Sequence, residues 1–175
     1  MRVIIGAAAA ASAVALAGAA QADEVWVGAY DHDVDLNVTV SGYEPGADLQ
    51  LGWRGERMDG LRLIGRPSPY AFASVNTEGA SNFVAAGLSW KFGDRLYFRP
   101  GIGVAYVDYE EGRPDRIDYG SSVVFEPEVN FGWQITDRWA AEASWIHLSH
   151  AQIFGEQNPG MDAVGVRVVY RLGAN

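Results

Sequence analysis

Cysteine is absent from all 175 residues. That removes any disulfide framework, thiolate nucleophile or cysteine-held metal, although it does not by itself identify a compartment. Positive charge is scarce too, with 13 Lys and Arg against 22 Asp and Glu and a formal net charge of −9. No Lys/Arg cluster offsets this, so nucleic acid is excluded as a partner. Beyond the first 20 or so residues there is no long apolar run of the kind a membrane-crossing helix needs. No glycine-rich loop joins a strand to a helix, so nothing in the chain calls for a nucleotide or another cofactor.

What is present begins with MRVIIGAAAAASAVALAGAAQADEV. Arg2 precedes an apolar run from Val3 to about Ala20, followed by the small-residue pattern Ala20-Gln21-Ala22. This predicts a secretory signal peptide over residues 1–22. A run so rich in Ala and Gly is too weakly apolar to be preferred as a permanent anchor. The mature chain, residues 23–175, would hold one domain, with 12 basic and 22 acidic residues once Arg2 is gone.

In that domain apolar and polar residues alternate. Period-two reading predicts strands near 24–34, 47–56, 68–78, 81–93, 96–109, 121–136, 139–151 and 161–172. In the sixth, Val123, Phe125, Pro127, Val129, Phe131, Trp133 and Ile135 share one face, while Glu126, Glu128, Asn130 and Gln134 share the other. In the fifth, Leu96, Phe98, Ile102, Val104 and Tyr106 oppose Arg99 and the small Gly101, Gly103 and Ala105. A soluble lipocalin-like barrel or sandwich would turn the apolar set inward. Here the small and charged set suits a narrow polar lumen, and the aromatic set suits a lipid-facing wall with Trp and Tyr girdles. The fold class expected is all-β: an eight-stranded antiparallel transmembrane barrel of the outer-membrane type, with no exposed sheet edge.

Gly93-Asp94-Arg95 and Thr136-Asp137-Arg138 read as tight periplasmic turns, and the longer connections after strands one, five and seven as extracellular loops. Gly55 to Pro67 is too long for this pattern, and Thr77 to Ser81 too short. With the N-terminus in the periplasm, the loop at 150–160 lies outside the cell.

The stretch HLSHAQIFGEQNPGMD, His147 to Asp162, spans that loop. Parity assigns Trp139, Ala141, Ala143, Trp145, His147 and Ser149 to the lipid face of strand seven. The lipid face of strand eight holds Asp162, Val164, Val166, Val168 and Tyr170. Pairing His147 with Asp162 would bring their Cβ atoms to about 4.5–5.5 Å, with Ser149 a same-face neighbour two residues on. Three polar groups on a bilayer-facing wall are costly. A hydroxyl, an imidazole and a carboxylate are the types that nucleophilic acyl transfer uses. By spacing alone, His-x-Ser is equally readable as the polar end of a strand. Asn158-Pro159-Gly160 suits a type II turn, and Trp145 reads as a girdle residue that anchors the barrel in lipid.

These residues resemble the lipid A 3-O-deacylase (PagL-type) family, whose members carry His-x-Ser near the end of strand seven and Asn-Pro-Gly-x-acid before the last strand. The match is His147-Leu148-Ser149, Ala151 and Asn158-Pro159-Gly160-Met161-Asp162. The resemblance implies an outer-membrane esterase that removes the ester-linked 3-O-acyl chain of lipid A in lipopolysaccharide. It also implies Ser149 as nucleophile, His147 as general base and Asp162 as orienting acid, at the outer leaflet. Two departures stand out: His150 replaces the family's usual Asn after the serine, and Asp162 is one methylene shorter than the more common Glu. A backbone N–H at His150 or Ala151 could donate to the oxyanion, with Asn158 as a further donor and Gly160 in the turn.

Asp31-His32-Asp33-x-Asp35 gathers possible metal ligands, but its spacing matches no defined loop and no metal is expected. The mixed charges from Asp108 to Asp118 read as a solvated loop that touches lipopolysaccharide headgroups. The expected partners are therefore lipid A as substrate and outer-membrane lipids, with monomer and homodimer both open. The competing reading is a non-catalytic structural or adhesion barrel carrying a decayed motif.

Overall fold

The computed structural model describes residues 24–36, 44–108, 110, 112–151 and 160–173; the expected leader at 1–22 lies outside them. The strands are β1 (Glu24–Asp31), β2 (Ala47–Arg54), β3 (Ser68–Asn76), β4 (Phe83–Ser89), β5 (Phe92–Gly93), β6 (Leu96–Val107), β7 (Val123–Gln134), β8 (Trp139–Ser149) and β9 (Gly160–Arg171). All pair antiparallel with their neighbours; β1 joins β9, and β4 joins β6. Both β4 and β5 pair with β6 in a common register, so they are two parts of one stave and the sheet closes as an eight-stranded barrel. The gap between them has a cause in the sequence. Trp90 lies against Pro100, which accepts the Trp90 N–H at 3.0 Å but has no N–H to return.

Alternation works as the sequence indicated. Phe131 and Val166, both 63% exposed, face out, whereas Glu126, Glu128, Asn130 and Arg167 face a filled interior. An eight-stranded barrel leaves only enough width for side chains, so inward charges must find partners. Arg167 Nη2 meets Glu128 at 2.6 Å, and Glu24 takes both Arg54 at 2.6 Å and Arg99 at 2.8 Å. Tyr70 donates to Glu126, and Arg167 Nε donates to the Tyr30 hydroxyl. Deleting one partner of such a pair strands a buried charge, at a cost of about 3–5 kcal/mol.

The girdle expectation needs a correction. Trp133, Trp139 and Tyr106 do face outward, but Trp26, Tyr30, Tyr70 and Tyr97 are buried in the lumen. Each stands directly across the ladder from a glycine: Gly52, Gly165, Gly87 and Gly132 respectively. The rings lie over those glycines, and a Cβ on Gly132 would sit 2.0 Å from the Tyr97 ring. The Trp26 ring is also held between Arg54 and Arg167, whose guanidinium carbons lie 4.8 and 4.9 Å from its centroid.

The two connections that broke the length pattern keep their places. Residues 55–67 lie at the short-turn end and are taken up by a 3-10 helix, Asp59–Ile64, with Gly55 and Met58 N–H groups donating to Pro69 and Pro67. Residues 77–82 join β3 to β4 at the long-loop end. There Glu44 accepts hydrogen bonds from the Ser81 N–H and hydroxyl and from the Ile117 N–H, tying three connections together.

His32 completes this cap. Its ring nitrogens lie 2.8 Å from Asp48 and 2.9 Å from Glu44, so both are committed to carboxylates. Burial alone would push the imidazole down, but hydrogen bonds to Asp48 and Glu44 outweigh it and raise it to about 9. A group raised in the folded state stabilises fully below its unfolded value, about 6.5, and loses that contribution as pH rises through about 9. The unfolding midpoint in urea should therefore fall between pH 7 and 10, by roughly 1–3 kcal/mol of stability, and His32→Gln should flatten that slope. An equal slope in both proteins would exclude His32 as its source.

Candidate active site

The geometry of the C-terminal hairpin follows from its register. Residues β8 and β9 share a ladder in which His147 stands opposite Asp162 and Ser149 opposite Gly160. The inward members between them, Leu148 and Met161, are fully buried. His147, Ser149 and Asp162 thus lie on the outer face, as parity predicted. Gly160, which faces Ser149, is buried, and Ser149 itself is 7% exposed.

His147 Nδ1 is 3.1 Å from Asp162 Oδ1. A carboxylate can only accept here, which assigns the proton to Nδ1 and leaves Nε2 as the acceptor nitrogen. The His147 side chain keeps 14% exposure and that of Asp162 none. The shorter acid therefore reaches His147 without displacement of β9, since direct opposition in the ladder already brings the two together.

The ladder on the other side of His147 is interrupted. The β7–β8 register runs from Phe125↔Ser149 to Glu128↔Ile146 and skips the two positions between them, where Glu126 would face Leu148 and Pro127 would face His147. A proline cannot donate there, so the sheet is locally loosened beside the imidazole.

Trp145 was read from sequence as a lipid anchor, and the structure gives it a second role. Its Nε1–H donates to the same Asp162 Oδ1, at 2.8 Å. Its ring stacks on His147 with centroids 6.0 Å apart. The signal was present in the sequence: Trp145 shares a face with His147 and is the diagonal neighbour of Asp162, within reach of a long side chain. Asp162 is also covered from outside the hairpin, because the Val34 N–H, just after β1, donates to its carbonyl at 2.7 Å.

The remaining residues fall around this pair. His150 directly follows β8 and is 2% exposed. Ala151 has φ of 51°, a left-handed conformation that a non-glycine residue adopts at a cost of about 1–2 kcal/mol. Gly160 is the first residue of β9. Asn158 and Pro159 lie outside the described residues, as does the turn expected of them. Among the described residues no cluster of His and carboxylate groups is arranged to hold a metal ion.

The fold is similar to that of the crystal structure of the outer membrane enzyme PagL, with a TM-score of 0.61 and 18% identity over 83% of this chain and 97% of that one. Neisserial surface protein A (NspA) aligns with a TM-score of 0.55 and 12% identity over 85% of this chain and 96% of that one. A de novo designed transmembrane β-barrel gives 0.51 and 12% over 87% and 96%. At such identities the likeness is one of fold. No curated protein matches the sequence. The lipid A 3-O-deacylase (PagL) family profile, however, matches residues 30–171, nearly the whole barrel. The chain is an outer-membrane β-barrel that belongs to the lipid A 3-O-deacylase (PagL) family.

Proposed function

We propose that this protein hydrolyses the ester-linked 3-O-acyl chain of lipid A, with Ser149 as nucleophile, His147 as general base and Asp162 as orienting acid. The observation that carries this reading is the hydrogen-bonded His147–Asp162 pair on the outer face, beside Ser149. In this orientation the short-turn end faces the periplasm, and the pair lies at the outer leaflet, where lipid A is found.

The chemistry runs in two halves. Ser149 Oγ attacks the ester carbonyl while His147 Nε2 takes its proton, and Asp162 stabilises the resulting imidazolium. The tetrahedral intermediate collapses, the bond to the sugar oxygen breaks, and His147 returns the proton to that oxygen, freeing a hydroxyl on lipid A. Water then attacks the acyl-serine with His147 again as base, and the fatty acid leaves. The left-handed turn at Ala151 ends the extended run just past the serine, so that the amides of His150 and Ala151 can turn toward the developing oxyanion. Backbone donors of this kind do not depend on the side chain at position 150, where His150 stands in place of the family's usual Asn.

These roles make three predictions. Ser149→Ala or His147→Ala should abolish loss of one hydroxyacyl chain from lipid A, read as a mass shift, while heat-modifiable gel migration shows an intact barrel. Asp162→Asn should lower the rate on the order of 10²–10⁴-fold; a wild-type rate would remove the acid from the mechanism. Trp145→Phe keeps the ring but deletes the donor to Asp162. It should lower kcat about tenfold with KM unchanged, the loss expected when one hydrogen bond that positions a charged group is removed. A change confined to KM would make Trp145 a lipid contact only.

A further inference from the structure

The opposite end of the barrel holds a cavity of about 210 Å³ that plays no part in this chemistry. It opens among the short turns, and its lining includes Arg54, Arg57, Lys91, Arg99 and Arg171, against the carboxylates of Glu24 and Asp94. Glu24 is already shared: it accepts from Arg54 at 2.6 Å and from Arg99 at 2.8 and 3.3 Å. The next carboxylate inward, Glu142, accepts the Tyr97 hydroxyl at 2.9 Å and lies 3.6 Å from Arg99 and 3.8 Å from Arg54. The five cations therefore outnumber the three carboxylates around them.

Hydrogen bonding shows the same surplus. Arg54 Nε and Nη2 and Arg171 Nε are buried with no hydrogen-bond acceptor, Arg99 Nε has only Glu142 at 3.6 Å, and Arg54 and Arg99 are themselves 1% and 3% exposed. Guanidinium N–H groups left without acceptors in a low-dielectric site are costly, and forked donors of this kind match tetrahedral oxyanions. Lys91 and Arg57 stand at the rim, where they add charge without joining the Glu24 network. Lys91 Nζ sits 4.1 Å over the Tyr97 ring, and the Arg57 side chain donates to the Arg66 carbonyl at 3.3 Å.

We propose that this vestibule binds a phosphate group, with Arg54 and Arg99 as the inner donors and Lys91 and Arg57 as the outer ones. Two sources share that chemistry: free phosphate entering from the aqueous side, and the headgroup of an anionic phospholipid at the membrane boundary. The adjoining 55–67 connection bears on the second source, since it presents Leu63, 95% exposed, and Ile64 beside Arg62 and Arg66.

The test uses the full mature protein in a non-ionic detergent, with the arginine Nε–H resonances as probes. Sodium phosphate should shift the Arg54 and Arg99 signals saturably, beyond sodium chloride at matched ionic strength. Arg57→Gln combined with Lys91→Gln should weaken that binding about five- to tenfold, as loss of two partly screened charges implies. Neither residue contributes a hydrogen bond to a strand ladder or to the Glu24 pairs, and heat-modifiable gel migration checks that the variant keeps the fold. In a second arm, short-chain phosphatidylglycerol replaces phosphate. Saturation by the lipid alone identifies a headgroup site, and saturation by phosphate alone identifies a free-anion site. Shifts no larger than those with chloride in both arms, or unchanged affinity in the double variant, would overturn the proposal.

Discussion

The width of the lumen governs this molecule. Eight staves leave little space for a solvated interior, so the charges in the middle of the lumen are paired with partners from other strands. Arg167 reaches from β9 to Glu128 on β7, and Glu24 on β1 gathers Arg54 from β2 and Arg99 from β6. Trp26, Tyr30, Tyr70 and Tyr97 fit only because each faces a glycine across the ladder. These contacts are specific to register. A slip of one residue would turn Arg167 into the bilayer and Val168 into the charge network, and so the interior fixes how β8 and β9 align.

That alignment also determines the outer face. The pairing that puts Leu148 and Met161 inside puts His147 and Asp162 together outside. A carboxylate on a bilayer-facing wall is an expensive group, yet Asp162 is fully buried there and takes hydrogen bonds from both Trp145 and His147. The two sides of the wall are thus coupled: charge pairing within holds the register, and the register places the polar pair without. Pro127, unable to donate opposite His147, falls in the two-position gap of the ladder beside it.

Much of this is legible in the sequence alone. Strict alternation in residues 123–134 and the opposite parities of 139–149 and 161–171 were enough to set the faces and bring His147 opposite Asp162. The inward aromatics were not legible, because Trp and Tyr suit both a membrane interface and a packed interior. The deciding fact, a glycine directly across the ladder, exists only once register is known. The same limit hid the bond from Trp145 to Asp162, which is diagonal between strands. The break between Ser89 and Phe92 arises from Pro100 on the neighbouring strand, so nothing within 81–93 announces it. The 55–67 connection defeated a rule about loop lengths because it folds into a helix of its own.

The filled interior has one more consequence. Side chains from non-adjacent strands meet inside the barrel, Arg167 with Glu128 and Tyr70 with Glu126, and both pairs are shut off from solvent. A cylinder plugged in this way is an electrical insulator: it offers ions no aqueous route and small solutes no leak, in contrast to wider barrels with water-filled channels. Many copies can therefore sit in one membrane without lowering its resistance or its osmotic barrier, whatever work their outer surfaces perform.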